Sequence, residues 1–361
     1  ALGHWPQIGR TRAGQPPGTF ALIAKARPGQ WGLVTSRFLH HYSWADGRSR
    51  DDVACWLYTE LGDAGDEAQG IVPDAPVLVE RGVAPLTAAE AHRAMISARE
   101  AGAATMARDA GAAIVAAMRG LGLWQGRIGF DHSVIAQVAV QHDHPGVMVS
   151  ADNILREIRM VKSPLEHALM ARAARANVDA LNAVGHAIRA GATHYELQGL
   201  FRQETAARGN TAVFLNVDRV SSDTSRLAVA DGQTLMLDGV SQFMGYHGDF
   251  ARTVFVGEPT RPARRAAAAS AFAWDAVREV LRPGLRFSQI VEIGSEAVRR
   301  AGHDAVIGFG PHSVGLAHTD EPGEVHGGFW RKPDFVLEPG MILSVDCPTL
   351  DTGIGGSAHC E

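Results

Sequence analysis

The stretch at 236–257, MLDGVSQFMGYHGDFARTVFVG, carries two aspartates, Asp238 and Asp249, where strand-like runs meet a glycine-rich turn. Asp is a poor strand former, and a carboxylate inside a sheet is costly unless a cation compensates it. Thr234, Met236 and Asp238 share one face of their strand, and Asp249, Ala251, Thr253 and Phe255 share a face of the next. Antiparallel pairing through SQFMGYHG is expected to make the two acids cross-strand neighbours, about 5 Å apart at Cβ. Like charges so placed repel unless a divalent ion sits between them. Two metals ~3.5–4 Å apart, bridged by carboxylates, fit that spacing. Taken alone, however, Asp238–Gly239 and Gly248–Asp249 read first as turn residues, because both types are common in turns.

Three later elements change that balance. In GFGPHSVGLAHTDEP at 308–322, His312 lies among glycines and beside a proline, too open for a routine core histidine. In EPGMILSVDCP at 338–348, Asp346 ends an apolar strand-like run after a Pro339–Gly340 turn, and GIGGSAHCE closes on Glu361. Four carboxylates and one imidazole at strand ends form a hard-donor set without thiolate. Such a set favours Mn, Fe, Co or Zn carrying a bound hydroxide over a structural zinc.

The elements that must position these residues can be read from the rest of the chain. Its 361 residues are 46% hydrophobic and 20% charged, enough apolar surface for a sizeable core and long enough for two domains. A net charge of −5 leaves no electrostatic footprint for nucleic acid. No basic amphipathic run suggests a lipid surface, and charges break the longest apolar runs, so no membrane span is expected. The start, ALGHWPQIGRTRAG, lacks the apolar core of a signal peptide. Cys55, Cys347 and Cys360 show no metal-ligand spacing, which suits free thiols in a reducing cytoplasm.

Strands and loops are expected over 1–85. Thr87 with Glu90 then opens a long helix reaching Gly120, and GRIGFD at 126–131 reads as a buried strand. The domain junction falls in 151–166, giving domains 1–155 and 156–361. Ser163, Pro164 and Glu166 start a helix running to Gly191, and Thr193 with Glu196 starts another that stops near Gly209. After strands around 211–257 come helices over 262–282 and from Ser288 to Gly302, then a strand-rich remainder. This helix–helix–sheet order, repeated, is an α+β pattern that suggests internal duplication.

The series D-G-x8-G-D-x2-R-T, H-S-V-G-L, L-E-P-G-M-x3-V-D and G-G-x4-E resembles the pita-bread metallohydrolases, which include Xaa-Pro dipeptidases, aminopeptidase P, methionine aminopeptidase and creatinase. RMVKSPLEHALMARAARAN resembles that family's junction between a smaller α/β creatinase-like N-terminal domain and its catalytic domain. The likeness covers about 155–361 clearly and 1–150 in outline. It implies two divalent transition metals: Asp238 chelating one, Asp249 and Glu361 bridging both, and His312 and Asp346 holding the second. It also implies Asp346 as proton shuttle, Arg252 as a supporting residue, His318 as a catalytic candidate, and a homodimer whose mate caps the cleft over a small peptide.

The chain departs from the family at several positions. Asp346 stands where the family has Glu, one methylene longer, so one metal site is expected to be looser. The substrate-facing histidine usual before the first ligand is missing from NVDRVSSDTSRLAVADGQTLMLD at 216–238. His318 is displaced by one residue from the family's second histidine, with His326 a spare candidate. The family also runs on through a closing strand, so the chain is expected to continue past Glu361 and its start to be clipped. The leading expectation is an Xaa-Pro dipeptidase-type hydrolase. The alternatives are a creatinase-like or dimethylsulfoniopropionate lyase-like enzyme acting on a small zwitterion, suggested by D-E-P after His318, and a non-catalytic binding protein. Retention of all five ligand-type residues argues against the last.

Overall fold

The computed structural model describes residues 18–44, 51–58, 85–101, 106–218, 226–303, 309–326, 329–350 and 353–361. The chain divides into two compact units, Ala1–Asp152 and Asn153–Glu361.

In the first unit, β1 (Thr19–Ile23) pairs antiparallel with β2 (Trp31–Ser36), which runs parallel to β3 (Val53–Tyr58). A single helical turn, α1 (Arg37–Leu39), and a π-helical turn, His40–Trp44, follow β2. The expected long helix from Ala88 to Gly120 is instead two helices, α2 (Ala88–Ala101) and α3 (Ala110–Gly120). Between them β4 (Met106–Ala107) adds to the sheet edge beside Leu57 and Tyr58. Asp109 then restarts the helix, its Oδ1 accepting from Ala112 N at 2.8 Å. Ile114, Val115 and Met118 of α3 bury against Phe20, Val34 and Tyr58. β5 (Arg127–Phe130), α4 (Ser133–Gln141) and β6 (Val147–Ser150) form a small parallel β-α-β piece. Its first strand alternates exposed and half-buried residues, so the buried strand expected at 126–131 is a surface ribbon.

The second unit begins with α5 (Asp152–Met160), whose first residue closes the first unit. α6 (Pro164–Ala187) starts at a full capping box: Ser163 N donates to Glu166 Oε2 at 2.8 Å, and Glu166 N donates to Ser163 Oγ at 3.4 Å. It ends before Gly191 because Ile188 leaves in an extended conformation and Gly191 N is committed to Val229 O at 2.8 Å. α7 (His194–Ala207) opens on the Thr193–Glu196 box.

β7 (Thr211–Val217), β8 (Thr234–Phe243) and β9 (Tyr246–Phe255) make an antiparallel sheet in that order. Met244 and Gly245 both take positive φ, 52° and 87°, which makes the β8–β9 connection a tight two-residue turn. α6 lies hard against this sheet: a Cβ on Gly248 would come within 2.7 Å of the Ala173 and Ala174 backbone. Next come α8 (Arg261–Val280), α9 (Phe287–Arg300) and β10 (Gly310–Ser313). β11 (Glu324–His326) pairs with β12 (Phe329–Arg331). β13 (Leu343–Thr349) lies between β10 and β14 (Ala358–Cys360).

The helix–helix–sheet order thus occurs twice, and each half has its own core. Leu181, Val184, Phe201, Leu235 and Leu237 fill the first, whereas Val277, Ile290, Val298, Val345 and Cys347 fill the second. The halves are tied where β14 meets β9: Thr253 Oγ1 donates to His359 O at 3.0 Å and accepts from His359 N at 2.9 Å. Arg252 Nη1 donates to Glu361 O at 2.6 Å, so both members of the Arg-Thr pair close this seam. Among the described residues no helix is long and apolar enough to cross a membrane.

Candidate metal centre

The hairpin does not place its two aspartates where the sequence suggested. Asp238 is paired with Asn216 on one side and Ala251 on the other, while Asp249 lies opposite Val240. The acids are therefore diagonal neighbours on one face, because the two-residue turn shifts the register from direct opposition. Both stand within strands rather than at strand ends, as do His312 on β10 and Asp346 on β13. Glu361 follows β14 directly, and Cys347 opposite Cys360 brings it beside Asp346.

Chain folding nonetheless brings all five residues together. Three sets of ligand atoms each lie within 4.8 Å of one another: Asp238, Asp249 and Glu361; His312, Asp346 and Glu361; and Asp249, His312 and His318. His312 Nε2 is 3.5 Å from both Asp249 Oδ2 and Asp346 Oδ2, and His318 Nε2 is 3.0 Å from Asp249 Oδ2. The Asp249 and His312 side chains are 4% and 6% exposed, whereas His318 is 38% exposed. Both oxygens of Asp249, both of Glu361 and Nε2 of His312 are buried without a hydrogen-bond partner. Stranding one such atom costs about 1–3 kcal/mol, so five together form a set that divalent cations fit, and the oxygen-rich donors suit a hard or borderline ion.

Electrostatics agrees with that fit. Burial, then repulsion from Asp249, pushes Asp238 up to about 6, partly offset by Asn216 Nδ2, which donates to its Oδ2 at 2.9 Å. Burial and three neighbouring carboxylates push Glu361 well above the usual carboxylate range. Burial also acts to raise Asp346, but the imidazoles of His312 and His359 override it and hold this carboxyl well below that range. His312 is raised: burial opposes its charge, and Asp346 and Asp249 outweigh burial.

Two neighbours went unread in the sequence. His359 is buried with Nε2 3.2 Å from Asp346 Oδ1. Two residues before Glu361 on the same strand face, its position was a usable signal. Asn216 holds Asp238 from β7, in the stretch that lacks a histidine. His318 reaches the cluster despite its one-residue displacement, with Phe214 edge-on at 5.3 Å. His247 donates from both its backbone N and Nδ1 to Gly315 O, at 2.9 and 3.0 Å, and so holds the loop rather than facing the acids. The His326 side chain lies outside the described residues. Asp320 and Glu321 of the D-E-P element are fully buried against Arg159 and Lys332, so this element anchors the loop.

A sequence profile of metallopeptidase family M24 matches residues 168–361. A probable dipeptidase PepE of Mycobacterium tuberculosis is 28% identical over 215 residues, 56% of this chain and 56% of that protein. The Xaa-Pro aminopeptidase of Escherichia coli is 26% identical over 232 residues, 56% of this chain and 51% of that protein. The chain therefore spans about half the length of the curated relatives it matches. Among solved structures, an Xaa-Pro dipeptidase from Bacillus anthracis shares the fold with a TM-score of 0.63, at 16% identity, covering 95% of this chain and 88% of that one.

Proposed function

The chain belongs to metallopeptidase family M24, and from that premise we propose that it hydrolyses small peptides, Xaa-Pro dipeptides first among them, with two divalent transition metals held by Asp238, Asp249, His312, Asp346 and Glu361. The observation that carries this reading is the convergence of these five side chains, from five separate places in the chain, with both oxygens of Asp249 and Glu361 and Nε2 of His312 buried without a hydrogen-bond partner.

When bound, such cations supply Lewis-acid polarisation of a carbonyl and a lowered pKa for water. The remaining work belongs to the protein. Asp346 takes the proton of the attacking water and passes it to the departing amide nitrogen. His359, 3.2 Å from Asp346 Oδ1, keeps that carboxylate ionised and oriented during the transfer. His318, the more exposed imidazole of the cluster, faces the substrate and donates from Nε2 to the scissile carbonyl oxygen as charge develops there. Arg252 and Thr253 hold β14, and with it Glu361, against β9. The D-E-P element gives no support to the small-zwitterion reading, because both of its acids are engaged in buried ion pairs.

Elemental analysis of the purified, reconstituted protein tests the ligand set, and release of proline from Xaa-Pro dipeptides tests the reaction. About two metals per chain with dipeptide turnover are expected. Full metal occupancy without turnover on any dipeptide rejects the peptidase reading, and no retained metal rejects the ligand set.

A further inference from the structure

The loop joining β10 to β11 carries His318, and the helix at the start of this unit holds that loop. Along α5, Asn153, Arg156 and Arg159 recur every three residues and share a face. Asn153 Nδ2 donates to Gly323 O at 2.5 Å, and Asn153 Oδ1 accepts from Gly323 N at 3.0 Å. Arg156 Nη1 donates to Thr319 O at 3.1 Å. Arg159 donates twice to Asp320 Oδ1, from Nε at 3.0 Å and from Nη2 at 2.7 Å. Just past the helix, Lys162 Nζ donates to Ser313 Oγ at 2.9 Å. Ile154 and Ile158 of the same helix stay exposed while Met160 at its end is buried in the core, so these polar contacts hold the first turns of the helix and apolar burial holds its last residue.

The loop is built to receive this grip. Asp320 Oδ2 accepts from Leu316 N at 3.1 Å, and Asp320 N donates to Ser313 O at 2.8 Å. A Cβ on Gly315 would come within 2.4 Å of Asp320 Oδ2, so only glycine lets the loop wrap this tightly. The backbone is thereby fixed on both sides of His318, at Leu316 before it and at Thr319 after it.

We propose that Asn153, Arg156, Arg159 and Asp320 are positioning residues that set the His318 imidazole against Asp249, with the forked Arg159–Asp320 contact at the centre. This rests on the reading above, in which His318 faces the substrate. The clamp gives a physical reason why a histidine one residue out of family spacing still arrives 3.0 Å from Asp249. Two charge-assisted donations converge on Asp320 Oδ1 while Leu316 N takes Oδ2, so the carboxylate is held from both sides.

The test uses the full chain with Arg159→Met, Arg159→Lys, Arg156→Met and His318→Ala. Histidine side-chain NMR of the metal-free protein identifies the His318 signal by its loss in His318→Ala. Arg159→Met is expected to shift or broaden that signal while leaving that of His194, on α7, unmoved. In the metal-loaded protein kcat on an Xaa-Pro dipeptide should fall about 10- to 100-fold, with KM and metal content within about twofold of the parent. Adding His318→Ala to Arg159→Met should cost little more, and Arg159→Lys should recover part of the loss. Should Arg159→Met not fold, Arg156→Met, which leaves the ion pair intact, carries the same measurements with a smaller effect. An unmoved His318 signal in the folded variants, or losses that multiply between Arg159→Met and His318→Ala, overturns the clamp. Should the parent hydrolyse no dipeptide, the peptidase reading fails by itself and the NMR arm still decides the clamp.

Discussion

Two pairs of buried acids in the second unit are treated in opposite ways. Asp320 and Glu321 are both fully buried, and each has a cation from the chain: Arg159 for the first and Lys332, with Nζ 2.6 Å from Oε1, for the second. Ser313 N adds a short donation to Glu321 Oε2, and Lys332 Nζ also donates to Pro311 O at 2.6 Å. Asp249 and Glu361 are also buried, yet among the described residues neither has a lysine or arginine ion pair: Asp249 faces the imidazoles of His312 and His318, and both Glu361 oxygens lack a hydrogen-bond partner. A buried acid whose task is to hold a loop takes its cation from the chain. Acids that turn bare oxygens toward one another shape a place for a cation from solution.

The comparison can be broken most forcefully at Glu361. Glu361→Gln should lower kcat/KM about 10³-fold, equivalent to ~4 kcal/mol of transition-state stabilisation. The metal-free variant should unfold at the same or a higher denaturant concentration, because a repelling carboxyl has been neutralised. A lower midpoint would mean that Glu361 belongs with the anchoring pair. Glu321→Gln should do the reverse. Stability should drop by about 2–4 kcal/mol, somewhat less than for a fully enclosed pair because Lys332 keeps contact with water, while metal content is retained. Loss of metal without loss of stability would erase the distinction between the two pairs.

His359→Ala sharpens the contrast from within the open cluster. It should weaken metal binding about 10- to 100-fold by calorimetry, the usual cost of losing a group that orients a ligand. Unchanged affinity would leave His359 as filler. The smallest effect is the pH dependence. Asp238 is raised from 3.8 to about 6, so the folded metal-free protein binds more protons than the unfolded chain in that window. Its stability should therefore decline as pH rises from about 4 to about 6, by on the order of 1–2 kcal/mol. Metal affinity should climb over the same range, because ligation needs the ionised carboxylates. A metal-free protein that gains stability across that window would contradict the burial of Asp238.

The parts of the fold legible beforehand were those written in neighbouring residues. Ser163 with Glu166 and Thr193 with Glu196 announced α6 and α7, since a capping box closes within four positions. The break between α2 and α3 was missed because an alanine-rich run reads as continuous helix, although Asp109 offered a cap. The five ligand-type residues were legible by their chemistry. Asn216 and the clamp on His318 were not, because their partners lie far away in the chain.

The sequence by itself determined which donors this protein owns, four carboxylates and an imidazole without a thiolate, and where its C-terminal helices begin. Those properties reside in side-chain chemistry and in contacts a few residues long. Only the tertiary structure decided that Asp238 and Asp249 sit diagonally, that His359 reaches back 13 positions to Asp346, and that Arg159 crosses 161 positions to claim Asp320. Whether a buried charge is answered or left open is a matter of what folding brings beside it, and no local pattern carries that.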